Sequence, residues 1–329
     1  MFLEKFDDFQ SVYIQCHDCP DADAIGSGFG LYEYFRQKGK EVHLIYTGNT
    51  RITKPALQLM VERLSIPIEY VDELPECEVL ITVDCQYKGG NITPLPAGQV
   101  AMIDHHPPCV PTDEWCYIVS DCGSCSTVVW MLLSEAGYDV RENRNAATAL
   151  YYGLYSDTGQ LSEIYHPKDR EMRDCLTADG QIIDRETVET MINSNLSMKE
   201  LKIAGRALSN YYYDEEYQFA VMRTEACDPN MLGVISDLVI QVAGIDVCVV
   251  YNETPIGYKM SLRTCRKHMK ASKLASYISD GIGSGGGHNT KAGGFILKKI
   301  FLEAYPDCLF GEMLQKRLRV YMKEAEDAD

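Results

Sequence analysis

The sequence predicts a two-domain α/β protein, in which a mostly parallel sheet with helices on both faces is followed by a smaller α/β domain. Three observations carry that expectation. Short apolar runs alternate with helical patterns through the first half of the chain. Two of these runs, Val79-Leu-Ile-Thr-Val-Asp84 and Val100-Ala-Met-Ile-Asp104, end in aspartate, as strands buried on both faces of a sheet do at its rim. A second alternation starts near Tyr217, after a long charged helical stretch. At 329 residues the chain is long enough for two separate cores.

Taken in order, Ser11 to Cys16 reads as a strand and Ala24 to Arg36 as the helix after it. Glu41 to Tyr46 is the next strand, Lys54 to Leu64 a helix with Pro55 in its first turn, and Ile68 to Val71 a short strand. The two acidic-ended strands follow. A proline-broken loop from Pro107 to Pro111 leads to Tyr117-Ile-Val-Ser120, then to helices at Ser124 to Ala136 and Asn143 to Tyr155. Lys168 to about Tyr213 is helical and charged, so the expected boundaries are 1–185 for the first domain, 186–213 for a helical connector and 214–329 for the second domain. In that last part Gln218 to Met222, Asp246 to Tyr251, Gly257 to Leu262 and Gly294 to Leu297 read as strands. Pro229 to Val242, Ser272 to Ser279 and Leu309 to Lys323 read as helices.

The net charge of −17 argues against general binding to duplex nucleic acid, whose sequence-independent affinity comes from basic surface. A phosphate-bearing substrate therefore needs local help from metal ions or a confined basic patch. The first residues lack a signal peptide's pattern, and no apolar run approaches membrane-spanning length. With thirteen cysteines, an odd number, the chain is expected to be cytoplasmic with reduced thiols. The pairs Cys16/Cys19 and Cys122/Cys125 have C-x-x-C spacing but are read as free thiols rather than as a zinc site.

The chemistry concentrates at a few places. His17, Asp21 and Asp23 lie on the turn after the first strand, Asp84 and Asp104 end later strands, His105 and His106 follow at once, and Asp157 ends a helix. Singly, a strand-end aspartate is usually a cap or turn residue and a lone histidine a structural one. Together, at the carboxyl edge of one α/β sheet, they sit where such folds bind ligands. Carboxylates and imidazoles favour manganese or a related ion over a thiolate-bound zinc. In the second part, Gly285-Gly-Gly-His288 offers backbone amides free of side chains and an imidazole; a glycine run alone more often marks a turn. Arg263 ends a strand pattern, and its planar fork suits a terminal phosphate, with Lys291 as an assistant. Lys267 and Lys270 read as solvated.

The segments His17-Asp-Cys-Pro-Asp21-Ala-Asp23-Ala-Ile-Gly-Ser27, Val83-Asp84, Asp104-His105-His106 and Gly153-Leu-Tyr-Ser-Asp157-Thr-Gly159 resemble, in order, the four motifs of the DHH phosphoesterases. Ser261-Leu-Arg263 and Gly285-Gly-Gly-His288 resemble the DHHA1 domain that accompanies them, and the two-domain layout is similar to the nano-RNase and pAp phosphatase branch. Ala22 stands where many relatives have glycine, and Ser284 precedes three glycines where relatives often carry four. A family II pyrophosphatase lacks the Gly-Gly-Gly-His segment, and single-strand DNA exonucleases and membrane-bound cyclic dinucleotide phosphodiesterases add further domains.

The resemblance implies two divalent ions, typically Mn2+. His17, Asp21 and Asp84 would hold one; Asp23, Asp84, His105 and Asp157 would hold the other, with Asp84 bridging. Asp84, Asp104 and His106 would serve catalysis, Asp104 by orienting a ligand imidazole and His106 by contacting the scissile phosphate. Arg263, Gly285, Gly286, Gly287 and His288 would bind substrate in a cleft between the domains. The implied activity is hydrolysis of phosphoester bonds in very short single-stranded RNA, from the 5′ end, and in small nucleotides such as pApA and pAp, releasing nucleoside 5′-monophosphates. The alternatives are a cyclic dinucleotide phosphodiesterase and an inactive nucleotide-binding regulator. No membrane partner is expected, and a homodimer is compatible with this reading.

Overall fold

The computed structural model describes residues 1–49, 51–73, 77–194, 196–227, 229–266 and 269–326. The chain forms two compact units, Met1–Asn195 and Leu196–Asp329. In the first, the strands are β1 (Ser11–Cys16), β2 (Glu41–Tyr46), β3 (Ile68–Tyr70), β4 (Val79–Val83), β5 (Gln99–Asp104) and β6 (Cys116–Ile118). Its longer helices are α1 (Ala22–Gln37), α2 (Pro55–Arg63), α3 (Cys125–Glu135), α4 (Arg144–Asp157), α5 (Pro167–Thr177) and α6 (Arg185–Asn193).

Among the described residues the six strands form one sheet in the order β3-β2-β1-β4-β5-β6, with every pairing parallel. The strand order reverses between β1 and β4, so the loops leaving their carboxyl ends diverge and open a crevice there. That crevice receives His17 to Asp23 from β1 and Asp84 from β4.

Alternation along the strands divides the core. Val12, Ile14, Cys16, Ile81 and Ile103 pack with α1, α3 and α4 in the main cluster. Tyr13, Ile45 and Leu80 face the other way and are covered by Cys77, Tyr87, Leu95 and Ala97. These covering residues come from the segments around β4, so helices on both faces, as expected from sequence, give way to helices on one face and loop on the other. The reason is local: Ile92-Thr-Pro-Leu-Pro, in the β4–β5 connection, carries two prolines that no helix interior accommodates.

The second unit contains α7 (Met198–Ser209), β7 (Tyr211–Asp214), β8 (Phe219–Thr224), α8 (Pro229–Val239), β9 (Val247–Glu253), β10 (Gly257–Thr264), α9 (Ala271–Ser279), β11 (Gly283–Gly287), β12 (Lys291–Leu297), α10 (Lys298–Ala304) and α11 (Phe310–Glu326). Its sheet is mixed, in the order β11-β12-β10-β9-β8-β7. β8 and β9 are parallel and the other pairs antiparallel. One face packs on α9 and α11, the other on α7 and α8.

Two expectations are corrected here. The connector foreseen over 186–213 is divided: α6 packs on α2 in the first unit, and α7 packs on β8 and α8 in the second, each through its own apolar stripe. The Gly285–Gly287 run, read as a turn, lies in an edge strand, Gly283–Gly287, paired in register with β12. Glycine has low strand propensity, so only the partner strand defines it. Lys267 lies outside the described residues.

α1 and α4 cross closely because Gly26 offers no Cβ. A methyl group there would sit 2.6 Å from the Ala149 carbonyl oxygen on α4. Alanine in a helix interior normally adds about 1 kcal/mol over glycine. Here overpacking against the main chain reverses the sign, and Gly26→Ala is expected to destabilise the protein by about 1–3 kcal/mol in urea denaturation; a gain in stability would contradict the packing described.

Candidate metal centre

Asp21 is the N-cap of α1, and its Oδ1 accepts from the amides of Asp23 (3.0 Å) and Ala24 (3.1 Å). This orphan-donor capping starts the helix at the turn after β1 and fixes the carboxylate at the crevice. Asp18 braces the same turn: its carboxylate accepts from Thr47 Oγ1 (2.6 Å), the Thr93 amide (2.7 Å) and Thr93 Oγ1 (2.8 Å), tying together the loops after β1, β2 and β4. Asp23 is fully buried and accepts the amides of Cys125 (2.6 Å) and Ser126 (2.8 Å), at the positive end of α3. Gly153 on α4 leaves the space that Asp23 occupies, since a Cβ there would lie 2.9 Å from Asp23 Oδ1.

Asp84 directly follows β4 with φ 58°, a left-handed conformation that costs a non-glycine residue about 1–3 kcal/mol and is concentrated at functional sites. Its amide donates to the Ile103 carbonyl (3.0 Å), and the residue is 3% exposed. Its two oxygens face different groups. Oδ2 lies 3.7 Å from His17 Nε2, which is 3.9 Å from Asp21 Oδ1. Oδ1 lies 3.3 Å from His105 Nε2, which is also 3.3 Å from Asp157 Oδ2 and 3.9 Å from Asp23 Oδ2. His17, Asp21 and Asp84 thus form one donor group, and Asp23, His105 and Asp157 another, each with its ligand atoms within 4.8 Å of one another. Asp84 also groups with His105 and His106.

The expectation for Asp104 changes ring. Its Oδ1 accepts from His106 Nδ1 (2.9 Å) and from the His105 amide (2.8 Å), so the imidazole it orients is that of His106. His105 is held instead by the Cys122 carbonyl, 3.1 Å from Nδ1. A carbonyl only accepts, so Nδ1 carries a proton and Nε2 is the nitrogen turned to the acidic group. Gln86, which sequence reading passed over, donates from Nε2 to Asp104 Oδ2 (2.8 Å) and accepts the Cys109 amide (2.8 Å). Its only sequence signal is its place two residues after Asp84. Among the described residues no cysteine joins a three-ligand group, and Cys16 and Cys125 are buried with their thiols on main-chain carbonyls.

The electrostatics fit a divalent cation. Burial, together with the charges of Asp84 and Asp157, pushes the Asp23 carboxyl well above its ordinary range. Burial and the charges of Asp84 and Asp21 raise Asp157 to about 7, against the opposing pull of His105. Burial alone would discharge the imidazoles, yet the carboxylates outweigh it: Asp21 and then Asp84 hold His17 up at about 9, and Asp84, Asp23 and Asp157 raise His105 well above its usual value. Asp84 Oδ1 is buried without a hydrogen bond, an expensive arrangement for a carboxylate oxygen that a cation would relieve. Oxygen and imidazole donors suit Mn2+ or Mg2+.

In the second unit Arg263 is pinned: Nε donates to Asp237 Oδ1 (2.5 Å), and Nη1 to Ser261 Oγ (3.0 Å) and the Leu262 carbonyl (3.0 Å). His288 donates its amide to the Lys291 carbonyl (2.7 Å), and Leu297 donates to the Ile282 carbonyl (3.1 Å). By antiparallel alternation Gly286 is bonded to Gly293, while the amides of Gly285 and Gly287 point to the open edge. Of the three amides expected to meet phosphate, that of Gly286 is thus spent within the sheet.

A proton on His17 competes with a metal ion up to a pKa of about 9. Metal affinity is therefore expected to rise from pH 7 to pH 9, with protons released on binding. Manganese titration calorimetry in buffers of different ionisation enthalpy checks this; an affinity independent of pH would contradict the assignment of His17.

Residues 11–154 match the DHH family, N-terminal domain. A Methanocaldococcus jannaschii protein of uncharacterised function is 24% identical over 328 residues, covering 98% of this chain and 66% of that protein. The bifunctional oligoribonuclease and PAP phosphatase NrnA of Bacillus subtilis is 27% identical over 157 residues, covering 46% of this chain and 48% of NrnA. The chain thus spans just under two thirds of the first relative and about half of the second. In fold it is similar to an exopolyphosphatase-related protein from Bacteroides fragilis, with TM-score 0.76 and 21% identity over 99% of this chain and 96% of that one. It is also similar to RecJ from Thermus thermophilus in complex with Mn2+, with TM-score 0.56 and 14% identity over 98% of this chain and 53% of that one. No helix among the described residues is long and apolar enough to cross a membrane. With residues 11–154 matching the DHH family, N-terminal domain, and three donor groups gathered at one sheet edge, the first unit of this chain is similar to the DHH phosphoesterases.

Proposed function

We propose that the chain hydrolyses phosphoester bonds in very short single-stranded RNA and in small nucleotides such as pApA and pAp, using two divalent ions, and releases nucleoside 5′-monophosphates. The observation that carries the reading is the division of Asp84: one oxygen faces His17 and the other faces His105, so a single buried carboxylate serves two donor groups. The likeness to NrnA, named as an oligoribonuclease and PAP phosphatase, supports the substrate class.

His17, Asp21 and Asp84 would hold one ion, and Asp23, Asp84, His105 and Asp157 the other. When bound, such a pair supplies an activated water and Lewis-acid stabilisation of the phosphoryl oxygens. The chain's own residues set the geometry. The α3 amides hold Asp23, Cys122 fixes the His105 tautomer, and Gln86 holds Asp104. Asp104 also sustains charge on His106: burial opposes protonation, but the Asp104 hydrogen bond raises the pKa of the ring. With Nδ1 on Asp104, His106 would touch the scissile phosphate through Nε2 as a donor. In the second unit Asp237 and Ser261 fix the Arg263 fork, and the edge amides of Gly285 and Gly287 together with His288 would take a terminal phosphate.

Manganese-dependent release of mononucleotides from pApA tests the reading. Asp84→Ala is expected to lower turnover by about 100-fold or more, since the ions' charge stabilisation is worth several kcal/mol. Binding of the dinucleotide without turnover by the wild type would make the chain a nucleotide-binding protein and contradict the proposal. Arg263→Ala is expected to lower kcat/KM by about tenfold or more while metal content stays the same; loss of metal would contradict its role.

A further inference from the structure

Asp84 opens the connection from β4 to β5, and residues 84–98 form neither helix nor strand. Such a segment is held only by what its side chains and main chain find outside it. Asp18, on the turn after β1, holds its middle. The Asp18 amide donates to the Asn91 carbonyl (3.0 Å), Oδ1 accepts from the Thr93 amide (2.7 Å), and Oδ2 accepts from Thr93 Oγ1 (2.8 Å). Gln15 on β1 completes the grip, donating from Nε2 to the Thr93 carbonyl (2.9 Å). Tyr87 Oη closes the segment on itself at the Leu95 carbonyl (2.7 Å), over the buried Ile92 and Leu95. Asp18 also reaches the loop after β2. Its Oδ1 accepts from Thr47 Oγ1 (2.6 Å), and Gly48, with φ 105°, packs so closely that a Cβ there would lie 2.6 Å from the Asp18 carbonyl oxygen. Bonds to a carboxylate are the strong kind, and this one joins three loops.

The two ends of this clasp belong to one donor group. His17 and Asp21 flank Asp18 on its turn, and they group with Asp84, which comes from the start of the clasped segment. Asp84 is left-handed, a conformation that persists only where its surroundings over-determine it. The other group has supports that Asp18 does not touch: the α3 amides hold Asp23, the Cys122 carbonyl holds His105, and Asp157 ends α4. A change at Asp18 therefore acts on one group and spares the other.

We infer that Asp18 is a positioning residue for the ion of the His17, Asp21 and Asp84 group, clasping the segment that begins at Asp84 to the turn that carries the other two. This rests on the proposed two-ion centre and adds that one of its ions is set by a residue that is not a ligand. Manganese titration calorimetry on the full chain tests it, with folding checked by thermal denaturation. Asp18→Ala is expected to weaken one of two binding steps by about tenfold and to leave the other within about twofold, as loss of a residue behind a metal ligand does. Asp18→Asn keeps an acceptor for the Thr93 amide and a donor for its hydroxyl, and is expected to recover most of the loss. In a His17→Ala background, where that ion has already lost a ligand, Asp18→Ala is expected to change the remaining step by less than about twofold. Equal weakening of both steps, no weakening, or an Asp18→Asn as damaging as Asp18→Ala would overturn the inference. If Asp18→Ala does not fold, Thr93→Val deletes one bond of the clasp and keeps the amide. A smaller loss confined to one step then supports the clasp, and a loss on both steps or on neither overturns it. Turnover of pApA separates this inference from the hydrolase reading. If the wild type binds two ions without turning over pApA, and Asp18→Ala weakens one step, the clasp stands and the hydrolase reading falls. If the wild type turns over pApA and Asp18→Ala binds both ions as tightly, the clasp alone falls.

Discussion

The structure turns on a buried carboxylate that repels its neighbours. Asp84 lies almost wholly out of water, in a backbone conformation that few non-glycine residues adopt, with Asp23 and Asp157 as acidic neighbours. Such a group is unstable as bare charge, because burial removes solvation and like charges add to the cost. Against the effect of burial the carboxylates raise the pKa of His17 and His105, and burial with the neighbouring charges raises those of Asp23 and Asp157. Divalent cations resolve it without protons, which is why we read the cluster as a metal centre rather than as an ion-pair network.

The scaffold maintains this unfavourable cluster by close packing. Strand order places β1 beside β4, so two loops carrying acidic residues leave the sheet at one crevice. Gly26 and Gly153 let α4 approach α1, which brings the Asp157 end of α4 up to Asp23. The N-terminus of α3 supplies two amides to Asp23. Three helices and three strand ends thus set the cluster's side chains, and such preorganisation is what a site for charge stabilisation needs.

Most of the first unit was legible in the sequence, because its chemistry falls where the pattern changes. Asp84 and the Asp104-His105-His106 segment close apolar runs, and Asp157 closes an apolar helix, so the element ends marked the residues that the fold gathers into one cluster. What escaped were groups without a side-chain signature. The carbonyl of Cys122 and the amides of Cys125 and Ser126 act through the main chain, and any residue there would look the same. Gln86 is a neutral residue in a loop. Asp104 holds His106 rather than a ligand imidazole, which the spacing of adjacent histidines does not reveal. In the second unit β11 escaped because glycine carries no strand preference, and the direction of each glycine becomes visible only in register with β12.

The two units differ in physical character. The first gathers carboxylates and imidazoles at one sheet edge, whereas the second holds a pinned guanidinium and an edge strand of glycines. The central claim, that Asp84 joins two ions, is tested most directly by electron paramagnetic resonance during manganese titration. Ions bridged by one carboxylate lie about 3.5–4 Å apart. The account predicts two equivalents bound with an exchange-coupled spectrum that Asp84→Asn abolishes. A single magnetically isolated ion, or coupling that survives Asp84→Asn, would contradict it.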